Sequence, residues 1–137
     1  MKFIDADIFI NFLTKGDAQQ SKASFKLFQK LAEEKEKGIT TEIVITKVIN
    51  ILSTAPYSLN PEEIRGKLTP LIMVSGLRIP HKRLVQRALD IFVETNELDF
   101  SDALSIAYME RDDIKEIYSF DKNKDQVKSI TRVEPET

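Results

Sequence analysis

The sequence predicts an α/β fold: a three-layer α/β/α sandwich with a mostly parallel central sheet, in a single domain spanning residues 1–137. Short apolar strands alternate with amphipathic helices, an order typical of such sheets. Two strands end at an aspartate, and a third aspartate stands in the first turn of a helix. The carboxyl ends of parallel strands meet at one edge of a sheet. We therefore expect Asp5, Asp102 and Asp121 to lie together there.

The composition excludes several kinds of functional site. Hydrophobic residues make up 42% of the chain, which is enough for one buried core. With no cysteine and one histidine, disulfides, zinc–thiolate sites and multi-histidine metal sites are excluded. The net charge is only −2, so a nucleic-acid-binding surface would have to be local. Neither a signal-peptide pattern nor a membrane-spanning apolar run is present, which predicts a soluble, cytoplasmic protein.

The first part of the chain predicts two strands and four helices. In order, these are a strand at Met1–Asp5, a helix through Leu13, a long helix at Asp17–Lys37, a strand at Ile39–Thr41, a helix from Glu42 and a helix from Pro61. We expect Gly38 to end the long helix as its C-cap. Thr41 and Asn60 are typical N-caps for the two helices that follow them. Pro70 is expected to kink or interrupt the last of these helices.

The second part predicts two helices and two strands. These are helices at His81–Glu94 and Leu98–Met109, a strand at Glu116–Ser119 and an edge strand at Ile130–Val133. Ser101 is the expected N-cap of the second helix, which places Asp102 in its first turn. His81 follows a proline at a helix start, so we interpret it as a surface or capping residue.

Each aspartate also has a purely structural explanation. Asp102 could serve only to support the helix cap, because a carboxylate in the first turn interacts favourably with the helix dipole. Asp5 could be an ordinary strand-end residue. The lysines at positions 22, 26 and 30 form a stripe on the long helix, which is either a solvated face or a contact for RNA backbone. A second basic cluster is formed by Arg78, Lys82, Arg83 and Arg87.

Three gathered carboxylates indicate a cation site. Like charges repel, so such a cluster is costly unless a cation balances it. Oxygen ligands without histidine or cysteine favour Mg²⁺ or Mn²⁺. The natural chemistry of such a site is metal-assisted phosphodiester hydrolysis.

Four ordered motifs resemble those of PIN domains, and most closely those of the small VapC-type toxins. The motifs are FIDADIF, TTEIVITKVINIL, DFSDALSIAYM and IYSFDKNKD. The resemblance covers essentially the whole chain. It implies a PIN fold, a Mg²⁺- or Mn²⁺-dependent endoribonuclease that acts on RNA, a homodimer and an antitoxin protein as partner.

The resemblance also assigns roles to individual residues. It implies that Asp5, Asp102 and Asp121 are the first, third and fourth acids of the family, with catalytic and metal-binding roles. Ser119 matches the small hydroxyl residue before the fourth acid. Supporting and RNA-contacting roles go to three further residues: Asp7 beside the site, and Lys122 and Lys124 as RNA contacts.

Two stretches depart from the family pattern. Lys47 stands where the second acid is usual, and Glu42 matches a different glutamate five residues earlier in the helix. An ammonium about 4 Å from a cation would repel it by roughly 4 kcal/mol at an effective dielectric constant near 20. Alternatively, Lys47 could bridge Asp5 and Asp102 in place of a metal. After the fourth acid, Asn123 replaces a usual acid and Lys124 a usual aromatic residue.

Three functions remain open at this point. The first is a metal-dependent ribonuclease of a toxin–antitoxin pair, weakened by Lys47. The second is a catalytically impaired PIN scaffold that binds RNA or a protein. The third is a haloacid-dehalogenase-like phosphotransferase with Asp5 as nucleophile, for which the chain is short.

Overall fold

A computed structural model describes every residue from Met1 to Thr137. The helices are α1 (Ala6–Leu13), α2 (Ala18–Ala32), α3 (Glu42–Ser53), α4 (Pro61–Ile72), α5 (Lys82–Glu94) and α6 (Phe100–Arg111). The strands are β1 (Lys2–Phe3), β2 (Gly38–Ile39), β3 (Leu77–Arg78), β4 (Glu116–Tyr118) and β5 (Thr131–Val133). All strand pairs are parallel, which confirms the predicted α/β class. No helix is both long enough and apolar enough to cross a membrane.

The chain divides into two units, Met1–Lys82 and Arg83–Thr137. The first unit holds the three-stranded sheet β1-β2-β3, and the second holds the two-stranded sheet β4-β5. The strands predicted to form one central sheet are therefore hydrogen-bonded as two sets. A single domain over residues 1–137 stays a prediction.

In the first unit, the carboxyl ends of β1 and β2 are tied together by a buried threonine. Lys2 pairs with Gly38 and Phe3 with Ile39 in the parallel register. The Thr40 hydroxyl donates a 2.8 Å hydrogen bond to the Ile4 carbonyl oxygen, and Thr40 is fully buried. This contact holds the backbone immediately before Asp5 against the start of α3.

Apolar helix faces form the core of the first unit, where α1 packs against both α2 and α3. Phe28 contacts Phe9 and Phe12 edge to face, at centroid distances of 5.3 and 5.2 Å. Fully buried aliphatic side chains fill the rest: Leu31, Ile45, Ile49, Leu52, Ile64, Leu68 and Ile72. A well-packed layer of helices thus supports the edge of the sheet at Asp5.

In the second unit, an ion pair and an aromatic contact connect α5 to α6. The Arg87 guanidinium donates to both carboxylate oxygens of Glu110, at 2.8 and 3.0 Å. Phe92 on α5 meets Phe100 on α6 edge to face. Because Phe100 is the first residue of α6, the aromatic contact holds the helix end that carries Asp102, whereas the ion pair at Glu110 holds the other end.

The predicted end of the long helix and the cap expected for it are wrong. The long helix stops at Ala32, well before Lys37, because Glu34 adopts a left-handed conformation (φ 58°). The Lys35 amide then donates to the Lys30 carbonyl and the Glu34 amide to the Leu31 carbonyl, which is the Schellman pattern of a helix C-terminus. Gly38 is not a cap and lies in β2.

At the other helix starts the predictions are confirmed in part. Thr41 and Asn60 are the N-caps of α3 and α4, as expected. The N-cap of α6 is Asp99 rather than Ser101. Pro70 does not interrupt α4, which continues to Ile72. Pro70 stands in the last turn, so few helical hydrogen bonds depend on it.

Two glycines of the first unit provide a matched test of the packing. A Cβ atom on Gly76 would lie 2.7 Å from the Glu36 carbonyl oxygen and closer still to that of Leu31, whereas one on Gly66 in α4 would meet nothing. We expect Gly76→Ala to destabilise the protein by about 1–3 kcal/mol. Gly66→Ala should instead stabilise it by about 0.5–1 kcal/mol, because alanine is the better helix former. Urea unfolding measures both, and a stable Gly76→Ala protein would contradict the packing described.

The Arg87–Glu110 pair predicts a pH-dependent stability. Its hydrogen bond lowers the pKa of Glu110, so the pair stabilises the fold above the unfolded pKa, near 4.3, and loses its effect as pH falls through the folded value. We expect Glu110→Gln to lower the free energy of unfolding at neutral pH by at most about 1 kcal/mol, since both side chains are partly solvated. The difference from the wild type should shrink as the pH falls below the unfolded pKa, and it should vanish once Glu110 is protonated in the folded state. Glu116→Gln, which removes an exposed glutamate of β4, is the control.

Candidate active site

The start of α6 presents Asp102 in a reciprocal capping arrangement. The Asp99 carboxylate accepts a 2.9 Å hydrogen bond from the Asp102 amide, and Asp102 Oδ2 accepts one of 3.4 Å from the Asp99 amide. This is the geometry of a capping box, with aspartate at both positions. The structural role foreseen for Asp102 is therefore real, but it uses only one of the two carboxylate oxygens.

The turn after β4 presents the second carboxylate, that of Asp121. The backbone amide of Asp121 donates a 3.0 Å hydrogen bond to the Ser119 hydroxyl, and Asp121 Oδ1 accepts a 3.0 Å hydrogen bond from the Asn123 amide. Asp121 thereby caps the short 3₁₀ helix at Lys122–Gln126. The hydrogen bond from Asn123 lowers the pKa of Asp121, and the ammonium of Lys124 lowers it further.

Lys124 joins these two carboxylates. Its ammonium nitrogen lies 3.1 Å from Asp102 Oδ1 and 3.2 Å from Asp121 Oδ2. Only 10% of the Lys124 side chain is exposed. Burial by itself would lower the pKa of Lys124, but the hydrogen bonds and charges of the two aspartates raise it. The lysine therefore stays charged and leaves the three groups with a net charge of −1.

The oxygens of this pair suit a divalent cation in their chemistry, but not in their present arrangement. Carboxylate oxygens are the ligands that Mg²⁺ and Mn²⁺ prefer. However, each of the four oxygens already accepts from a protein donor: the Asp99 amide, the Asn123 amide, or the Lys124 ammonium, which serves two of them. The chain contains no cluster of three or more acidic or histidine side chains placed to hold a metal. As it stands, the pair does not fit a divalent ion.

Arg132 on β5 holds the turn that carries Asp121. Its guanidinium donates 3.0 Å to the Ser119 carbonyl oxygen and 2.9 Å to the Asp125 carboxylate, and it also contacts Glu134 at 2.6 Å. The Ser119 amide in turn donates to the Val133 carbonyl oxygen. Arg132 thus holds both sides of the Asp121 turn against β5, and we call this set of contacts the Arg132 clamp. The Ser119 hydroxyl connects the clamp to the backbone amide of Asp121.

The first unit holds the other predicted site residues. Asp5 follows the buried Ile4 at the end of β1 and caps α1, since its Oδ1 accepts from the Ala6 amide at 2.7 Å. Asp7 is exposed in the first turn of α1. Glu42 opens α3 after β2, with its Oε2 atom shielded from solvent. Lys47 lies further along α3, is exposed and forms no ion pair.

The geometry bears on two lysines of the sequence analysis. Lys47, considered there as a bridge between acids, is exposed and forms no ion pair, and the ammonium that contacts Asp102 is that of Lys124. The ammonium of Lys124 is engaged by two carboxylates, and the RNA contact expected of this residue stays a prediction. Lys122 is exposed, as an RNA-contacting residue would be. Of the three predicted acids, Asp102 and Asp121 are brought together through Lys124, and Asp5 lies in the other unit.

A family model for the PIN domain matches residues 2–130. The chain belongs to the PIN domain family. The match assigns the β1–Asp5 segment to a PIN domain rather than to a haloacid-dehalogenase-like phosphotransferase. The PIN domain described here is also similar to the solved structure of VapC20 from Mycobacterium tuberculosis, a toxin described as cleaving the sarcin-ricin loop. The two chains are 19% identical, with a TM-score of 0.38, over 98% of this chain and 100% of that one. No curated protein matches the chain.

Two residues that shape the site of this PIN domain, Asp99 and Arg132, were not predicted from the sequence, and neither was the ion pairing of Lys124. Asp99 and the Lys124 pairing nevertheless left a signal in the sequence. Asp99 stands three residues before Asp102, which is the spacing of a capping box. Asp121 and Lys124 stand three residues apart, the spacing of an ion pair within one helical turn. Arg132 left no local signal, because its partners Ser119 and Asp125 are distant in sequence.

The Arg132 clamp predicts how firmly Asp121 is held. We expect Arg132→Lys to loosen the turn, because lysine lacks the planar fork that reaches the Ser119 carbonyl and Asp125 together. Amide hydrogen exchange at Asp121 and Asn123 should become faster. Exchange at Ile106, buried in the middle of α6, serves as the internal control. Unchanged exchange at both turn amides would show that Arg132 does not position the carboxylate.

Proposed function

We propose that this PIN domain is an endoribonuclease of the VapC type, which hydrolyses RNA phosphodiester bonds at the site of Asp102 and Asp121. The observation that supports the proposal is the pairing of these two acids around a single cation. Two carboxylates from separate elements, α6 and the turn after β4, converge on the Lys124 ammonium. The ordered PIN motifs of the sequence support the same assignment.

The proposal gives the other residues specific tasks. We assign Asp5 as the first acid of the family pattern, with Asp7 beside it, and Ser119 as the residue that orients Asp121 through its hydroxyl. Lys122, exposed next to Asp121, is the proposed contact for the RNA backbone. The resemblance adds Mg²⁺ or Mn²⁺ as cofactor, a homodimer, a cytoplasmic site of action and an antitoxin partner. The metal ion would first have to replace the Lys124 ammonium at the two carboxylates.

A second candidate function is favoured by the same lysine. With Lys124 seated between the acids and Lys47 at the usual position of the second acid, the domain could bind RNA or a protein without cutting. This candidate predicts RNA binding that does not require the negative charge of Asp102.

RNA cleavage by purified protein separates the two candidates. We expect slow cleavage of single-stranded or hairpin RNA in millimolar Mn²⁺, and a loss of at least about a hundredfold in Asp102→Asn, because a carboxylate that acts on the reacting groups contributes on that scale. The asparagine can still accept the hydrogen bond from the Asp99 amide, so the capping contact is preserved. Asp113→Asn, at an exposed aspartate that follows α6, is the matched control and should cleave like the wild type.

The opposite outcome is equally clear. If the wild type and Asp102→Asn proteins cleave RNA at the same rate, or neither cleaves while both bind it, the ribonuclease proposal fails. The non-cleaving scaffold is the better description in the second case, in which both proteins bind RNA and neither cleaves it.

A further inference from the structure

We propose that Lys124 is an internal counter-ion that takes the place of a divalent cation at Asp102 and Asp121, so that the resting site is closed to Mg²⁺ and Mn²⁺. The inference rests on the proposed function only for identifying this pair as the site of RNA hydrolysis. It adds a regulatory property: the metal and the lysine compete for the same oxygens.

The contacts of the ammonium carry the first step. A cation shared by the two aspartates needs one oxygen from each, and the Lys124 nitrogen already lies within 3.2 Å of one oxygen from each. The two remaining oxygens accept from the Asp99 and Asn123 amides. Two cations so close together would repel each other strongly, so a metal enters only if the ammonium leaves.

The position of Lys124 in the chain carries the second step. The lysine is in the 3₁₀ helix that Asp121 caps, and its own amide donates to the Asp121 carbonyl oxygen at 3.2 Å. The ammonium is therefore tethered three residues from one of its partners. A tethered group acts at high effective concentration, so a free ion has to compete with a ligand that never diffuses away.

Metal binding, measured without RNA, tests the inference. Calorimetric titration of the wild type with Mn²⁺ should show weak binding, and Lys124→Met should bind at least about tenfold more tightly, since the competing charge is gone. Adding Asp102→Asn to Lys124→Met should abolish the gain in Mn²⁺ affinity, which would show that the ion binds at Asp102. Lys128→Met removes an exposed lysine just beyond the same 3₁₀ helix and should behave like the wild type. Lys124→Arg keeps a cation between the acids and should stay closed.

Thermal unfolding gives a second readout. In EDTA, Lys124→Met should melt below the wild type, because the two carboxylates then lack a counter-ion. Mn²⁺ should raise the melting temperature of Lys124→Met and leave that of the wild type nearly unchanged. If the methionine variant does not fold, Lys124→Gln takes its place in both measurements.

Three results would overturn the inference. They are Mn²⁺ binding that is equally tight in the wild type and Lys124→Met, binding that survives Asp102→Asn in the methionine background, and no binding by any folded Lys124 variant. If neither Lys124→Met nor Lys124→Gln folds, the wild type alone still tests the inference. Tight Mn²⁺ binding by the wild type, lost in Asp102→Asn, would then overturn it.

These outcomes are distinct from those of the cleavage assay. Equal metal binding with RNA cleavage that depends on Asp102 would refute the internal counter-ion and leave the ribonuclease intact. Tighter metal binding in Lys124→Met, with no RNA cleavage by any variant, would support the counter-ion and refute the ribonuclease.

Discussion

The site of this PIN domain depends on electrostatic balance between two carboxylates and one ammonium. Asp102 belongs to the first turn of α6, and Asp121 belongs to the turn after β4. The pairing therefore connects two separate elements of the chain. Without a cation, the two like charges would repel each other and favour solvent-exposed positions. With Lys124 between them, each aspartate can keep its local capping contacts and still point toward the other.

Both acids combine a structural and a chemical role. Each carboxylate uses one oxygen to complete the hydrogen bonds of a helix N-terminus and the other to meet the lysine. The capping contacts limit side-chain rotation and so fix the direction of the oxygen that meets Lys124. The Arg132 clamp on Ser119 extends this restraint to the backbone of the Asp121 turn. The geometry of the site is thus set by ordinary capping and turn interactions, with the charge balance added to them.

The first unit supports its own acid by similar means. Asp5 caps α1 immediately after the short strand β1 and the buried Ile4, and the Thr40 hydroxyl connects Ile4 to the end of the neighbouring strand. Glu42, at the start of α3, is shielded from solvent at one oxygen, whereas Lys47 is exposed. On α3, then, Glu42 is the more enclosed of the two residues. Lys47, which the family resemblance assigns to the usual position of an acid, is solvated.

The sequence by itself determined the α/β class, the parallel pairing of strands, most helix positions and the strand-end aspartates, because apolar periodicity and N-caps are local properties of the chain. Helix ends were less predictable. The long helix ends at the left-handed Glu34 rather than at Gly38, and Asp99 rather than Ser101 caps α6. Only the tertiary structure decided which lysine meets the acids. An ammonium at the end of a flexible side chain takes its partner from distances in space, and Lys124 reaches two carboxylates that lie 19 residues apart in the chain.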